Sequence, residues 1–133
     1  MRSTRRIAGS DRGAAAVEFA IVLPLLLLIV FGVIDFGRML YSQVTLTQAA
    51  REGSRLEALN QDDVVARTQN AATGLSDVDV FITECPGEPD AVVLVTYRFE
   101  FVTPVGGIGS MLAGGGYGDP LDLSAEGVMP CES

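Results

Sequence analysis

RGAAAVEFAIVLPLLLLIVFG, residues Arg12–Gly32, decides how the rest of the chain is read. From Phe19 to Ile34, sixteen consecutive residues carry no charge, the composition a lipid bilayer selects. Two residues break that uniformity: Glu18 at the edge of the run and Pro24 inside it. A secretory signal peptide has an apolar core of about 7–15 residues followed by a small-x-small cleavage site. Here the run is longer, and the following GVIDFGRMLYSQ offers no such site. Taken as a transmembrane helix, Ala14–Ile34 has 21 residues. At 1.5 Å per residue that is about 31 Å, enough to cross a bilayer. Asp35 and Arg38 then mark the outer boundary, with the Arg38 stem able to snorkel.

Outward from this stretch, charge divides unevenly. Residues 1–13 carry four Arg against Asp11, net +3, whereas residues 14–133 carry five Arg against sixteen acidic groups, net −11. A basic head before an apolar span predicts a cytoplasmic N-terminus and an extracytoplasmic acidic remainder. So negative a surface repels phosphate, which disfavours nucleic-acid binding. The chain has no His and no Lys. Ser-His and Cys-His pairs, imidazole metal ligands, a phosphate-loop lysine and a Schiff base are thereby excluded. The reading is of a non-enzyme with no cofactor, no metal site and no small-molecule substrate.

The helical pattern continues past the span. Met39, Leu46, Ala49, Ala50, Gly53 and Leu56 fall on one stripe. Between Ala14 and Leu59 only Pro24 and isolated glycines oppose a helix, which predicts one helix over residues 14–59, about 68 Å long. Its first half (14–34) lies in lipid and its second (35–59) projects outward. The Ala49–Ala50–Gly53 stripe admits another backbone closely. Packing on the protein's own outer part and contact with a partner both satisfy it. Pro24 removes one backbone hydrogen bond and crowds the carbonyl of Ala20, so a kink or local unwinding is expected. A carboxylate at the position of Glu18 costs about 1–3 kcal/mol on insertion scales and calls for a partner. Attraction to Arg12 in the headgroup layer is one solution.

A second solution comes from a family likeness. RGAAAVEF sets a glycine, four residues and Glu-Phe before the apolar run. That arrangement resembles the processing site of type IV pilin-like precursors of the Flp (tight adherence) branch. The fuller stretch AAAVEFAIVLPLLLLIVFGVIDFGRMLYSQVTLTQAAREGSR resembles the TadE-like proteins, minor pseudopilins of that system. The likeness covers Gly13 to Arg55. It implies that a prepilin peptidase cuts between Gly13 and Ala14 and that Glu18 becomes fifth in the mature chain, followed by Phe19. It also implies that Glu18 pairs with the new α-ammonium of Ala14, its own or a neighbour's, to register an incoming subunit. Pro24 resembles the helix irregularity of pilin-like subunits. The implied partners are the peptidase, other pilin-like subunits, the inner-membrane assembly platform and the bilayer.

Residues 60–133 are expected to form a small extracytoplasmic domain, giving an α+β chain overall. The expected order is the long helix, a short helix and a small antiparallel three-stranded sheet. Asn60–Gly74 reads as the short helix, with Asp62 and Asp63 suited to its start and Gly74 to its C-cap. Three alternating runs read as strands: Asp77–Thr83 with Val78, Val80 and Ile82 on one face; Ala91–Thr103 with Val93, Val95, Tyr97, Phe99 and Phe101; and Pro120–Met129 with Leu121, Leu123 and Ala125. PGEPD turns the first run into the second.

Cys85 and Cys131 are the only cysteines, lie in the part placed outside the cytoplasm, and form no C-x-x-C motif, so a structural disulfide is expected. In a meander both reach the same end of the sheet, on strands about 10 Å apart, and loop ends must bring their Cα atoms to about 5.5–6 Å.

Pro104–Pro120 holds seven glycines and reads as an excursion between strands, not a phosphate loop. Asp77/Asp79 and Asp119/Asp122 read as solvated acids, since no EF-hand loop surrounds them. Two further function classes remain beside the pilin-like one. The first is an uncleaved single-pass anchor presenting a small binding or sensory domain. The second is a membrane-tethered hydrolase using paired carboxylates.

Overall fold

The computed structural model describes residues 10–85, 87–108 and 119–132, with side chains from residue 13 onward. The basic residues before Ser10 and most of the Gly-rich segment lie outside that set. Five elements follow in chain order: α1 (Ser10–Ala58), α2 (Val64–Ala71), β1 (Asp79–Thr83), β2 (Asp90–Phe99) and β3 (Leu121–Pro130). The fold is α+β, one long apolar helix followed by a short helix and an antiparallel sheet in the order β1-β2-β3.

α1 is 49 residues long and unbroken at Pro24, so the unwinding expected there is not seen. Its halves differ. Between Ala14 and Val30 no residue is buried, and large side chains such as Ile21 and Val22 stand 71% and 57% exposed. From Asp35 onward one face closes against the sheet. Leu46, Ala49, Ala50, Gly53 and Leu56 are buried there, so the small-residue stripe is used within the chain. Gly53 allows this approach: a Cβ on it would fall 2.5 Å from the Thr68 hydroxyl oxygen and 3.0 Å from Cγ1 of Val93. Thr45, Ser54 and Thr68 enter the same packing because their hydroxyls donate to the carbonyls of Tyr41, Arg51 and Val64 on their own helices, at 2.9, 3.0 and 2.7 Å.

The strands sit where alternation places them, with shifted ends. β2 pairs with β1 from Asp79↔Thr96 to Thr83↔Val92, and with β3 from Asp90↔Pro130 to Phe99↔Leu121. Val93, Val95 and Phe99 point into the core with Val78, Leu123, Ala125 and the α1 stripe. β1 starts two residues later than expected because Asp77 has φ 56°, outside the extended region. β2 stops at Phe99, and Phe101 turns back to meet it edge-to-face, with ring centroids 5.3 Å apart. On β3 the inward set is Leu123, Ala125 and Gly127, while Leu121 stays 45% exposed. Gly127 is decisive: a Cβ there would fall on the backbone carbonyl of Ala50.

α2 is shorter than Asn60–Gly74, since Asn60 and Asp63 take left-handed φ of 50° and 59°. Asp63 is its N-cap residue but makes no side-chain capping bond, contrary to the role expected of it. The C-cap is Ala72 and not Gly74 as expected; Gly74, at φ 82°, takes a left-handed turn two residues further on. Cys85 and Cys131 form the disulfide, with Cα atoms 5.6 Å apart, across the end of the sheet where Gly87 turns at φ 110°. The Cys85 N–H donates to Glu57 at 3.4 Å, which ties this end to the top of α1.

Candidate assembly interface

The residues singled out for processing and pairing occupy the start of α1. Gly13, Ala14, Glu18 and Phe19 lie within the helix and are all exposed, Phe19 by 62%. Ala14 and Glu18 are four residues apart and so lie one above the other on the same helix face. The Glu18 carboxylate has no hydrogen-bond or ion-pair partner among the described residues, and the Arg12 side chain lies outside them. Pro24 is likewise exposed. This region therefore forms a bare apolar rod with one carboxylate near its start.

The window of α1 that qualifies as a membrane span has a mean hydropathy of 2.8 and none of it is buried inside the fold. That is consistent with a single-pass membrane anchor. Exposed apolar residues continue past the span on Phe36, Leu40, Tyr41 and Val44. The Tyr41 hydroxyl donates to the carbonyl of Thr73 at 3.4 Å, so that stripe borders the folded part.

Sequence reasoning missed the chief polar site, at the junction between rod and domain. Asp35 is only 3% exposed. Its carboxylate accepts the backbone N–H groups of Val102 and Thr103, each at 3.3 Å, and the Thr103 hydroxyl. Arg38, one turn on, pairs with it at 3.4 Å, donates to the carbonyl of Glu100 at 3.4 Å, and stands 5.3 Å over the Phe99 ring. Burial pushes the Asp35 carboxyl up. The bonds from Thr103 and Val102 and the Arg38 charge outweigh it, and the group rests below its ordinary value. Asp35 and Arg38 therefore do more than mark a boundary: they fasten the segment after β2 to the helix. The one available signal was an acid–base pair at i, i+3 directly after the apolar run. Further along, Glu52 and Arg55 pair in solvent at 3.2 Å, and the bond from Arg55 lowers the Glu52 carboxyl. Such a pair contributes little to stability.

Among the described residues, no nucleophile is paired to a base. A cavity of about 580 Å³ lies between the end of α1 and the start of α2, lined by Glu57, Asp62, Asp63 and Glu84 among others. It is a shallow acidic groove with no nucleophile paired to a base. Among the described residues no cluster of three acidic or Cys side chains is placed to hold a metal ion, and the acids at 77, 79, 119 and 122 form none.

These features define a class: a small α+β domain carried on the C-terminal half of a helix whose N-terminal half is long and apolar enough to cross a membrane. Residues 13–55, about a third of the chain, match the family model of TadE-like proteins. The match is consistent with a pilin-like protein of the tight-adherence (Flp) pilus system and runs from Gly13 through the bare rod and the buried stripe of α1. No curated protein and no solved structure matches the chain.

Proposed function

We propose that the protein is a minor pilin-like subunit, a pseudopilin, that supports assembly of a tight-adherence pilus or a related secretion apparatus without catalysing a reaction. It is made as a precursor with residues 1–13 in the cytoplasm. It is held in the cytoplasmic membrane by α1, with residues 60–133 outside. A prepilin peptidase removes the basic head after Gly13. The remaining helix packs with those of other pilin-like subunits at the assembly platform. The observation that supports this reading is the unpacked span of α1 with Glu18, unpartnered among the described residues, one turn from Ala14. A new α-ammonium at Ala14 has an ordinary pKa of about 8 and is charged at neutral pH. In a poorly solvated layer, two such opposite charges left apart are costly and brought together are stabilised. An incoming subunit whose ammonium reaches a neighbour's Glu18 is thereby fixed in axial register. Residue types supply this chemistry, not turnover.

The test compares Glu18→Ala and Glu18→Gln with the parent chain in cells that make the pilus. Crosslinking to other pilin-like subunits is measured alongside the amount of the protein in the membrane. The expected outcome is normal membrane insertion with lost crosslinking for both variants. Undiminished crosslinking of Glu18→Ala would remove the registration role. An uncleaved anchor presenting its outer domain would then account better for the same fold.

A further inference from the structure

The segment that follows β2 returns to the level at which the apolar span ends. Asp35 is the residue directly after Ile34, and its carboxylate holds the N–H groups of Val102 and Thr103 at 3.3 Å each. Val102 therefore lies beside the outer end of the span. It is nevertheless 73% exposed, more than Ile21 in the span at 71%. Ile108, on the single helical turn over 105–108, is 40% exposed. On α1 at the same level, Val33, Ile34 and Phe36 are 67%, 47% and 56% exposed. Exposed apolar side chains thus stand both on the end of the span and on the segment after β2, with exposed Arg38 and Glu100 beside Val102. Exposed apolar surface of this kind marks an interaction site.

We propose that this segment is a second membrane contact: Val102 and Ile108 enter the interfacial layer of the outer leaflet, so that the domain rests on the bilayer instead of standing clear of it. The inference rests on the anchor reading above. Three features fit a lipid occupant. Loop backbone is costly in a poorly hydrated layer unless its polar groups are satisfied, and Asp35 accepts the N–H groups of Val102 and Thr103. The charge of Asp35 is answered by Arg38, whose long stem suits the headgroup level. Arg38 and Arg98 border a cavity of about 360 Å³ together with Tyr97 and Val102, the mixture of basic and aromatic side chains found at membrane–water boundaries; Asp77 and Glu100 also line it.

The chain contains no Trp, so single-Trp variants report without background. Full-length Val102→Trp, Ile108→Trp, Val128→Trp and Leu26→Trp are reconstituted in phosphatidylcholine–phosphatidylglycerol vesicles whose acyl chains carry bromine near the headgroup or near the chain end. Leu26 reports the span, and Val128, 52% exposed on the outer face of the sheet, reports the remote surface. The expected result has four parts. Trp at 102 and at 108 shifts to the blue and loses emission to shallow bromines; Trp at 26 loses it to deep ones; Trp at 128 is unaffected. Quenching at 26 with none at 102 or 108 overturns this contact and leaves the anchor standing. No quenching at 26 overturns both. Equal quenching at 128 and 102 shows the whole domain lying on lipid and overturns a contact specific to this segment.

Discussion

Asp35 is the residue on which the two halves of the molecule meet. A single carboxylate accepts from two backbone amides and a hydroxyl and faces a guanidinium, which satisfies a buried charge that would otherwise be strongly destabilising. Asp35→Asn removes the charge and turns part of the acceptor into a donor facing donors. A loss of about 1–3 kcal/mol at neutral pH is expected, measured by chemical denaturation of the outer domain in detergent micelles. The pH dependence follows from the lowered carboxyl. Its stabilisation is fully present above the unfolded value, near 3.8, and is lost as pH falls through the still lower folded value. The gap between parent and Asp35→Asn should therefore stay constant from neutral pH down to about that value and narrow only below it. A gap that already closes at pH 6 would show that another group is responsible. This site was hidden in the sequence because its partners lie 67 and 68 residues away, at no spacing that periodicity can register.

At the scale of elements, close approach decides the packing. Gly127 lets β3 lie directly on the Ala50 carbonyl, and backbone cannot give way as a flexible side chain does. Gly127→Ala should cost about 1–3 kcal/mol through forced separation of β3 from α1. Gly37→Ala, a helical position with open space around the added methyl, should be neutral or stabilise by up to about 1 kcal/mol. Thermal melts of the two variants, monitored by circular dichroism, separate these outcomes. The disulfide acts between elements as well. It joins residues 46 apart, and its removal by Cys85→Ser with Cys131→Ser should cost about 4 kcal/mol by loop entropy, read from the shift in denaturation midpoint. Much of this level was legible. Alternation at Val93, Val95 and Phe99 and the stripe from Leu46 to Leu56 are local periodicities, and both were confirmed as buried faces. The strand and helix ends were not, because left-handed Asn60, Asp63 and Asp77 and the return of Phe101 onto Phe99 depend on tertiary contacts. Gly127 carries no such local signal, since nothing in its neighbourhood names the helix it must admit.

The whole molecule is a rod and a head with different physical needs. The head buries its apolar face against the C-terminal half of α1 and is stapled at the far end. The N-terminal half of α1 is left unburied by the described residues, which is consistent with a single-pass membrane anchor. The family match covers that rod and the stripe above it and ends before the sheet, so shared membrane and packing chemistry, not the outer domain, carries the likeness. The central claim is that the basic head is removed, freeing an ammonium at Ala14 beside Glu18. It is tested most directly by the intact mass and N-terminal sequence of the protein extracted from its native membrane, with a Gly13→Leu variant as the control that blocks cleavage. The account predicts a chain beginning at Ala14 for the parent and an uncut chain for the variant. A parent chain still carrying residues 1–13 in cells with an active prepilin peptidase would contradict it.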